Sequence, residues 1–420
     1  MKHFLAGVGV IAFTMACGAE DWPQWRGPHR DGISTEKGLL KEWPKPGPRL
    51  LWKVTNAGSG YSTPAVVGEK LYLLGNEGME QEFVEALSVA DGKRLWLTPL
   101  GQVGQPNQRP NYPAARSTPT VDGDVLYALG SDGDLACVEI GSGKVRWHRS
   151  LRADFKGKPG VWAYAESPLI DGDTVVCTPG GPEATMLGLN KNSGAVVWQC
   201  VTPEGDEAGY SSAILVEAAG AKQYVQLLQK GLVGVRAGTG EFLWRYSKAV
   251  SKYGANIPTP LANGALIYTA SAGTGGGLVK VKPKQDGVEA EEVYFESKMP
   301  TAIGGVIKLD DYFYGTTGQA MLCVEFASGK VKWEDRALGT AALCFADGRL
   351  YLHGENGQVA LVEPSADGYR EKGRFMPPDQ PERKDEMEKP WAFPVVANGR
   401  LYLRDHGRLW CYDVRTGVTR

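Results

Sequence analysis

Short apolar runs broken by Asp-Gly and Gly-rich turns recur along the whole chain, and the fourteen residues DLACVEIGSGKVRW, Asp134 to Trp147, contain the repeating phrase. Leu135, Cys137 and the run Val138 to Ile140 have the apolar character of a strand. Gly141-Ser142-Gly143 supplies a turn that needs positive φ, and Lys144 to Trp147 begins the return strand, so the phrase predicts a β-hairpin. It recurs as SVADGKRLW (Ser88 to Trp96), LNKNSGAVVW (Leu189 to Trp198), VRAGTGEFLW (Val235 to Trp244) and VEFASGKVKW (Val324 to Trp333). Glycine precedes tryptophan by four residues each time.

The residues upstream of each hairpin are equally regular. STPTVDGDVLYALGSDG (Ser117 to Gly133) reads as strand, Asp-Gly hairpin, strand and turn, so one unit holds four antiparallel strands, A to D. From Leu50 to Arg420 there are 371 residues. Eight units would average about 46 residues, the period of a propeller blade. Strand A is expected to start near Ser62, Ser117, Ser167, Ser211, Thr259, Gly304, Ala341 and Ala392. Strand D carries Trp52, Trp96, Trp147, Trp198, Trp244, Tyr294, Trp333 and Phe375.

Trp52 precedes any strand A, and the last unit stops three residues beyond its hairpin glycine, Gly417. RLLWKV (Arg49 to Val54) is therefore a fourth strand without a blade, and the C-terminal blade lacks one. The expected fold is all-β: an eight-bladed propeller of four-stranded antiparallel blades, its ring closed by the N-terminal strand. The strand D tryptophans then read as packing between neighbouring blades.

Residues 1–19 read as a signal peptide, with Lys2 and His3, an apolar run from Phe4 to Ala16, and small residues at Cys17-Gly18-Ala19. Cleavage after Ala19 and lipidation of Cys17 are alternative fates, and Cys17 is the only expected membrane anchor. Residues 20–48 form an N-terminal strap whose Trp22 and Trp25 are expected to dock on the propeller rim, and residues 49–420 form the propeller. The protein is expected to be exported to the periplasm or cell envelope, as a monomer. With 46 basic and 48 acidic side chains and no basic block, nothing calls for a nucleic-acid partner.

Seven cysteines in an exported chain invite a disulfide framework, and the repeat argues against one. Cys137, Cys323 and Cys411 each lie six residues before a hairpin glycine, where other blades have Ala86, Gly188 and Gly234. Cysteine fills a small-residue slot there. Cys177 and Cys200 are expected on strands B and D of one blade, about two strand spacings apart, which excludes a bond.

Chemistry is expected on the face of the long loops joining strand D of one blade to strand A of the next, since the opposite hairpins are short turns. The charged run Glu382 to Lys389 in the last of these loops reads as solvated. Just before strand A the chain places Arg116, Tyr164, Glu166, Tyr210, Asn256 and Trp391, candidates to converge at the channel mouth on a polar planar ligand or a hard cation. In the bland alternative, Glu166 and Arg116 satisfy each other or solvate the channel mouth. AGTGGG (Ala272 to Gly277) reads as a turn, not a phosphate cradle.

The repeat x-x-G-K-x-x-W, with WPQWRGP (Trp22 to Pro28), AESPLIDGDTVVCTPGG (Ala165 to Gly181) and KPWAFPVVANGRLYLRD (Lys389 to Asp405), resembles the pyrroloquinoline quinone (PQQ) type eight-bladed propellers. That family includes quinoprotein dehydrogenases and non-catalytic members such as the propeller lipoprotein of the outer-membrane β-barrel assembly machinery. The resemblance implies that Glu166 and Asn256 match the dehydrogenases' calcium pair by blade position. The adjacent-cysteine disulfide of those enzymes is absent, and TAIGG (Thr301 to Gly305) offers no aspartate base. The resulting expectation is a non-catalytic binding or assembly module of the envelope, needing no cofactor. Its long-loop face would take an envelope protein or a small polar ligand. The alternative is a PQQ- and calcium-dependent oxidoreductase acting on alcohols or sugars.

Overall fold

The computed structural model describes residues 20–108, 115–383 and 386–417. The expected signal segment and Cys17 lie outside these residues.

Eight sheets follow one another along the chain. Blade 1 is typical, with strands A to D at Ala65–Val67, Lys70–Glu77, Gln81–Ser88 and Arg94–Gln102, all antiparallel. Strand A is short because it begins two or three residues after most of the expected starts. The Ser and Thr residues there instead link neighbouring blades. Thr118 N donates to Ser167 Oγ and Ser167 N to Ser212 Oγ, both at 2.9 Å, while Phe393 N donates to Thr63 Oγ1 at 3.0 Å. These bonds tie blade 2 to 3, 3 to 4 and 8 to 1 around the axis.

Blade 8 draws its strands A to C from Val395–Ala397, Arg400–Asp405 and Arg408–Asp413, and its strand D is Arg49–Val54. Arg49 pairs with Asp413 and Val54 with Leu409, so the chain ends close the ring in one antiparallel ladder. The segment RLLWKV is that strand from first residue to last.

The core is divided among the interfaces between blades. Tyr72, Leu74 and Val84 of blade 1 pack on Leu126, Ala128 and Ala136 of blade 2, and later pairs repeat this arrangement. The strand D aromatics explain the repeated hairpin glycine. Trp52, Trp96, Trp147, Trp198 and Tyr294 each lie over the hairpin glycine of the next blade, at Gly92, Gly143, Gly194, Gly240 and Gly329. A β-carbon at any of them would approach the ring or its neighbour to 2.6–2.9 Å. Trp52, Trp96 and Trp147 also donate their indole N–H to the next blade, at Val89 O, Ile140 O and Lys191 O. Blade 5 breaks the pattern. Its strands C and D run through ten residues each, Gly275–Lys284 and Gly287–Glu296, and Trp244 of blade 4 bonds Gln223 of its own blade instead.

The six cysteines among the described residues are buried and unpaired. Cys137, Cys323 and Cys411 each sit between a strand B tyrosine and a strand D tryptophan, as in the row Tyr127, Cys137, Trp147. Two bulky rings leave room there for a small side chain only. Cys177 and Cys200 occupy strands B and D of blade 3.

The strap departs from expectation. It does not dock on the rim but runs down the axis, bonding strands from opposite sides of the ring. Trp22 exchanges backbone hydrogen bonds with Val66 of blade 1, and Pro23 O accepts from Val121 N of blade 2. Arg30 donates to Ser167 O and Pro168 O of blade 3, Trp25 Nε1 to Thr259 Oγ1 of blade 5, and Arg26 to Val306 O of blade 6. Ile33–Ser34 then pairs in parallel with Phe345 and Ala346 of blade 7, and Glu36 accepts from Gly399 N of blade 8. Only a segment at the axis can reach seven blades. A five-residue helix, Leu151–Phe155, capped by Ser150 Oγ and anchored by buried Leu151 and Phe155, is also absent from the strand pattern.

Candidate functional site

At two of the inner loops, a backbone bond to a neighbouring blade just before strand A fixes the direction of the chain at the channel mouth. Tyr61 N donates to Ala115 O at 2.6 Å and Tyr210 N to Asn256 O at 2.9 Å, which holds both tyrosines toward the axis. With the tip of the strap below them they enclose a cavity of about 300 Å³. Its walls are three aromatic pairs. Tyr61 and Trp391 lie 5.0 Å apart, Trp25 meets Phe393 edge-on at 4.6 Å, and Trp162 meets Tyr210 edge-on at 5.7 Å. Ile257, Ile303 and Met387 add apolar surface, and Arg116 is the one ionic side chain among the described residues on the wall.

Three of the six residues singled out in the sequence therefore share this cavity: Arg116, Tyr210 and Trp391. Trp391 is held by its indole N–H, which donates to Glu355 Oε1 at 2.9 Å, and Tyr210 Oη accepts from Trp162 N at 3.1 Å.

The other three are buried in the wall. Tyr164 packs between blades 2 and 3 and donates its hydroxyl to Pro179 O at 2.8 Å. Glu166 is 3% exposed, its carboxylate accepting from Thr178 N and, at 3.0 Å, from Gln226 Nε2. Desolvation pushes its carboxyl up to about 7, against the opposing pull of the Thr178 bond and of Arg30. The cation beside Glu166 is thus Arg30 of the strap, itself buried and lowered to about 9 by desolvation. Arg116 instead acts on Glu82, a fully buried carboxyl that receives Ser131 N and Ser131 Oγ and is also pushed up to about 7 by burial.

Asn256 spends its whole hydrogen-bonding capacity on the fold. Its amide donates to Leu228 O and Gln229 O, and its Oδ1 accepts from Ser251 N at 2.7 Å and Ser271 Oγ at 2.9 Å. A calcium ion needs six or more oxygen ligands with free lone pairs. Glu166 and Asn256 do not fit it, and no cluster of three His, Cys, Asp or Glu side chains among the described residues replaces them.

Tyr61, Trp162, Trp25 and Phe393 also line the site and were not singled out in the sequence as site residues. Tyr61 was legible: it precedes Ser62 as Arg116 precedes Ser117 and Tyr210 precedes Ser211. Trp25 was not, because its place depends on the course of the strap. The charged run of the last inner loop is partly tied down rather than solvated. Arg383 grips the buried carboxylate of Asp405 with both nitrogens, and Met387 reaches the cavity. Lys384 and Asp385 lie outside the described residues.

A family model described as outer membrane protein assembly factor BamB matches residues 33–161 and 80–312. The outer membrane protein assembly factor BamB of Alkalilimnicola ehrlichii is 26% identical over 140 residues, 33% of this chain and 32% of that protein. The serine/threonine-protein kinase AfsK of Streptomyces griseus is 29% identical over 173 residues, 40% of this chain and 20% of the kinase. The matches thus span a third or less of these relatives' lengths. Among solved structures, BamB from Moraxella catarrhalis superposes with a TM-score of 0.58 at 16% identity, covering 86% of this chain and 99% of that one. Quinohemoprotein alcohol dehydrogenase ADHIIG from Pseudomonas putida HK5 gives 0.63 at 13% identity, covering 95% and 81%. At such identities the likeness is one of fold.

Proposed function

Since this chain belongs to the PQQ-repeat propeller family described as outer membrane protein assembly factor BamB, we propose that it is a non-catalytic binding or assembly module of the cell envelope. Its binding site is the aromatic cavity on the long-loop face. Export through residues 1–19, with Cys17 as an optional lipid anchor, belongs to the same proposal, as does an envelope protein as partner of that face.

The carrying observation is the state of Glu166 and Asn256. Both are sealed behind the cavity and committed to the fold, so this pair offers no free oxygen donors to the metal-assisted chemistry of the alternative. The cavity still suits a ligand. Aromatic walls with one well-placed polar group are the usual make-up of a small-molecule site.

The test is a calorimetric titration of the purified protein with PQQ, with and without calcium, beside a dye-linked assay of alcohol and sugar oxidation. The proposal expects no calcium-dependent heat and no turnover. Calcium-dependent PQQ binding that disappears in Glu166→Ala, together with turnover, would replace it with the oxidoreductase reading.

A further inference from the structure

A groove of about 540 Å³ opens at the seam between blades 7 and 8, and it shares no lining residue with the aromatic cavity. Both ends of the chain build it. Leu39 and Leu40 of the strap bond to the backbone of Arg415 and Val414, Pro44, Pro46 and Pro48 follow, and Arg49–Val54 is the outermost strand of blade 8. Leu40, Leu50, Phe375 and Met376 make the walls apolar, and the proline rings stiffen them without adding donors. Leu50 is 37% exposed and Met376 49%, so two large apolar side chains stand uncovered beside the groove.

The charge of the groove is one-sided. Asp413 is the only carboxylate on the described wall, and Arg49 and Arg415 share it. Arg415 grips it with Nε at 2.9 Å and Nη2 at 2.8 Å, and Arg49 adds Nη2 at 2.9 Å. The Arg415 bonds hold the Asp413 carboxyl well below the usual range, against desolvation and with help from Arg49. It therefore stays ionised, and the trio carries one net positive charge. Arg415 Nη1 and Arg49 Nε and Nη1 make no hydrogen bond among the described residues, and both side chains are half exposed, so donors remain for a second anion.

A small-molecule site encloses most of its ligand, whereas these walls are exposed. The outer edge of Arg49–Val54 leads away from the groove with its backbone unpaired among the described residues, which suits an extended chain. We propose that this groove docks an extended, acidic segment of a partner protein, with an apolar side chain set among Leu40, Leu50 and Met376 and a neighbouring carboxylate received by Arg49 and Arg415. Because the walls come from both ends of the chain, the occupant holds the closing strand in place. The site is additional to the aromatic cavity and does not rest on it.

The test is calorimetry on the whole protein with the acetylated, amidated peptide Leu-Glu-Phe-Glu-Leu beside its glutamine and lysine counterparts, and with laurate as an anion of another class. The glutamate peptide is expected to bind about tenfold more tightly than the glutamine one, with an affinity that falls as salt is raised. Arg49→Gln should lose about fivefold in affinity and Met376→Glu about tenfold, while both variants keep the parent's thermal midpoint in the absence of peptide. Saturating peptide should also slow amide hydrogen exchange in residues 49–54 more than in blades 3 to 5. Equal binding of the glutamate and lysine peptides, an affinity unmoved by either substitution, or no saturable binding by folded protein at millimolar peptide overturns the proposal. Tighter binding of laurate than of the peptide overturns it as well, in favour of a small amphipathic anion.

Discussion

Trp147 of blade 2 lies over Gly194 in the hairpin of blade 3, and its indole N–H donates to Lys191 O at 2.8 Å. One side chain thus packs on a turn and hydrogen-bonds to it across the boundary between two blades. Truncation to alanine would remove the ring and leave a groove between sheets. We expect Trp147→Ala to cost about 3 to 5 kcal/mol, as for large aromatic core truncations. An unchanged midpoint in urea unfolding would refute the role assigned to the ring.

The partner of that contact is equally constrained. Gly194 has φ of +68°, and a β-carbon there would stand 2.9 Å from the Trp147 ring. Gly194→Ala should cost about 1 to 2 kcal/mol from backbone strain alone, before any repacking. Gly348, also at positive φ but with open space around it, separates the two effects. Gly348→Ala should show the strain cost only, measured by the same unfolding curves.

The ring closure repeats the relationship in a form split between the chain ends. Phe375 of blade 7 lies against Gly47, whose β-carbon position is 2.7 Å from the ring. Gly47 lies two residues before the strand Arg49–Val54 and five before Trp52, so it meets the blade 7 aromatic much as the hairpin glycines do elsewhere, although the residue four before Trp52 is Pro48. Weakening this contact should loosen the closing strand before the rest of the ring. Gly47→Val is expected to speed amide hydrogen exchange in residues 49–54 more than in blades 3 to 5, and uniform exchange would count against a separate closing step.

The fold was legible because its determinants are local. Alternating apolar runs and Asp-Gly turns lie within a single unit, and five of the eight units add the glycine four residues before tryptophan, so the copies reinforce one another. The strap had no such help. Arg26 bonds Val306 across 280 residues and Trp25 bonds Thr259 across 234, so nothing near either residue in sequence marks the channel as its place. The candidate site was legible in half. The position before strand A faces the cavity at Arg116, Tyr210 and Trp391, but in blade 3 it is Ala165 that does so, and Glu166 turns into the wall. That one-residue difference separates a ligand-facing carboxylate from a buried one.

Burial of Glu166 makes a prediction about pH. Its carboxyl is raised from 4.5 to about 7 by desolvation, so the folded protein holds the proton more tightly than the unfolded chain. The contribution favours the fold fully below the unfolded value and is lost as pH rises through the folded one. Stability should therefore fall between about pH 4.5 and 7 on account of this group. Glu82, raised in the same way, adds to the slope. In Glu166→Gln the slope in urea midpoint across this window should be shallower than in the parent, though not flat. An identical slope would show that Glu166 does not titrate there.

Arg30 holds the strap in the channel and gives the most direct test of the axial path. Its guanidinium is 4% exposed and donates to Ser167 O at 2.7 Å and Pro168 O at 3.0 Å, two carbonyls at the start of blade 3's strand A. Arg30→Ala would leave these carbonyls with fewer donors and free a loop whose other anchors are Trp22, Trp25 and Arg26. The expected cost is about 2 to 4 kcal/mol, since hydrogen bonds to a charged group are the stronger kind. Because the strap forms the cavity floor through Trp25, the same change should expose residues 20–36 to limited proteolysis while the blades stay resistant. A strap lying on the rim would be cut equally in parent and variant, and that result would refute the axial path.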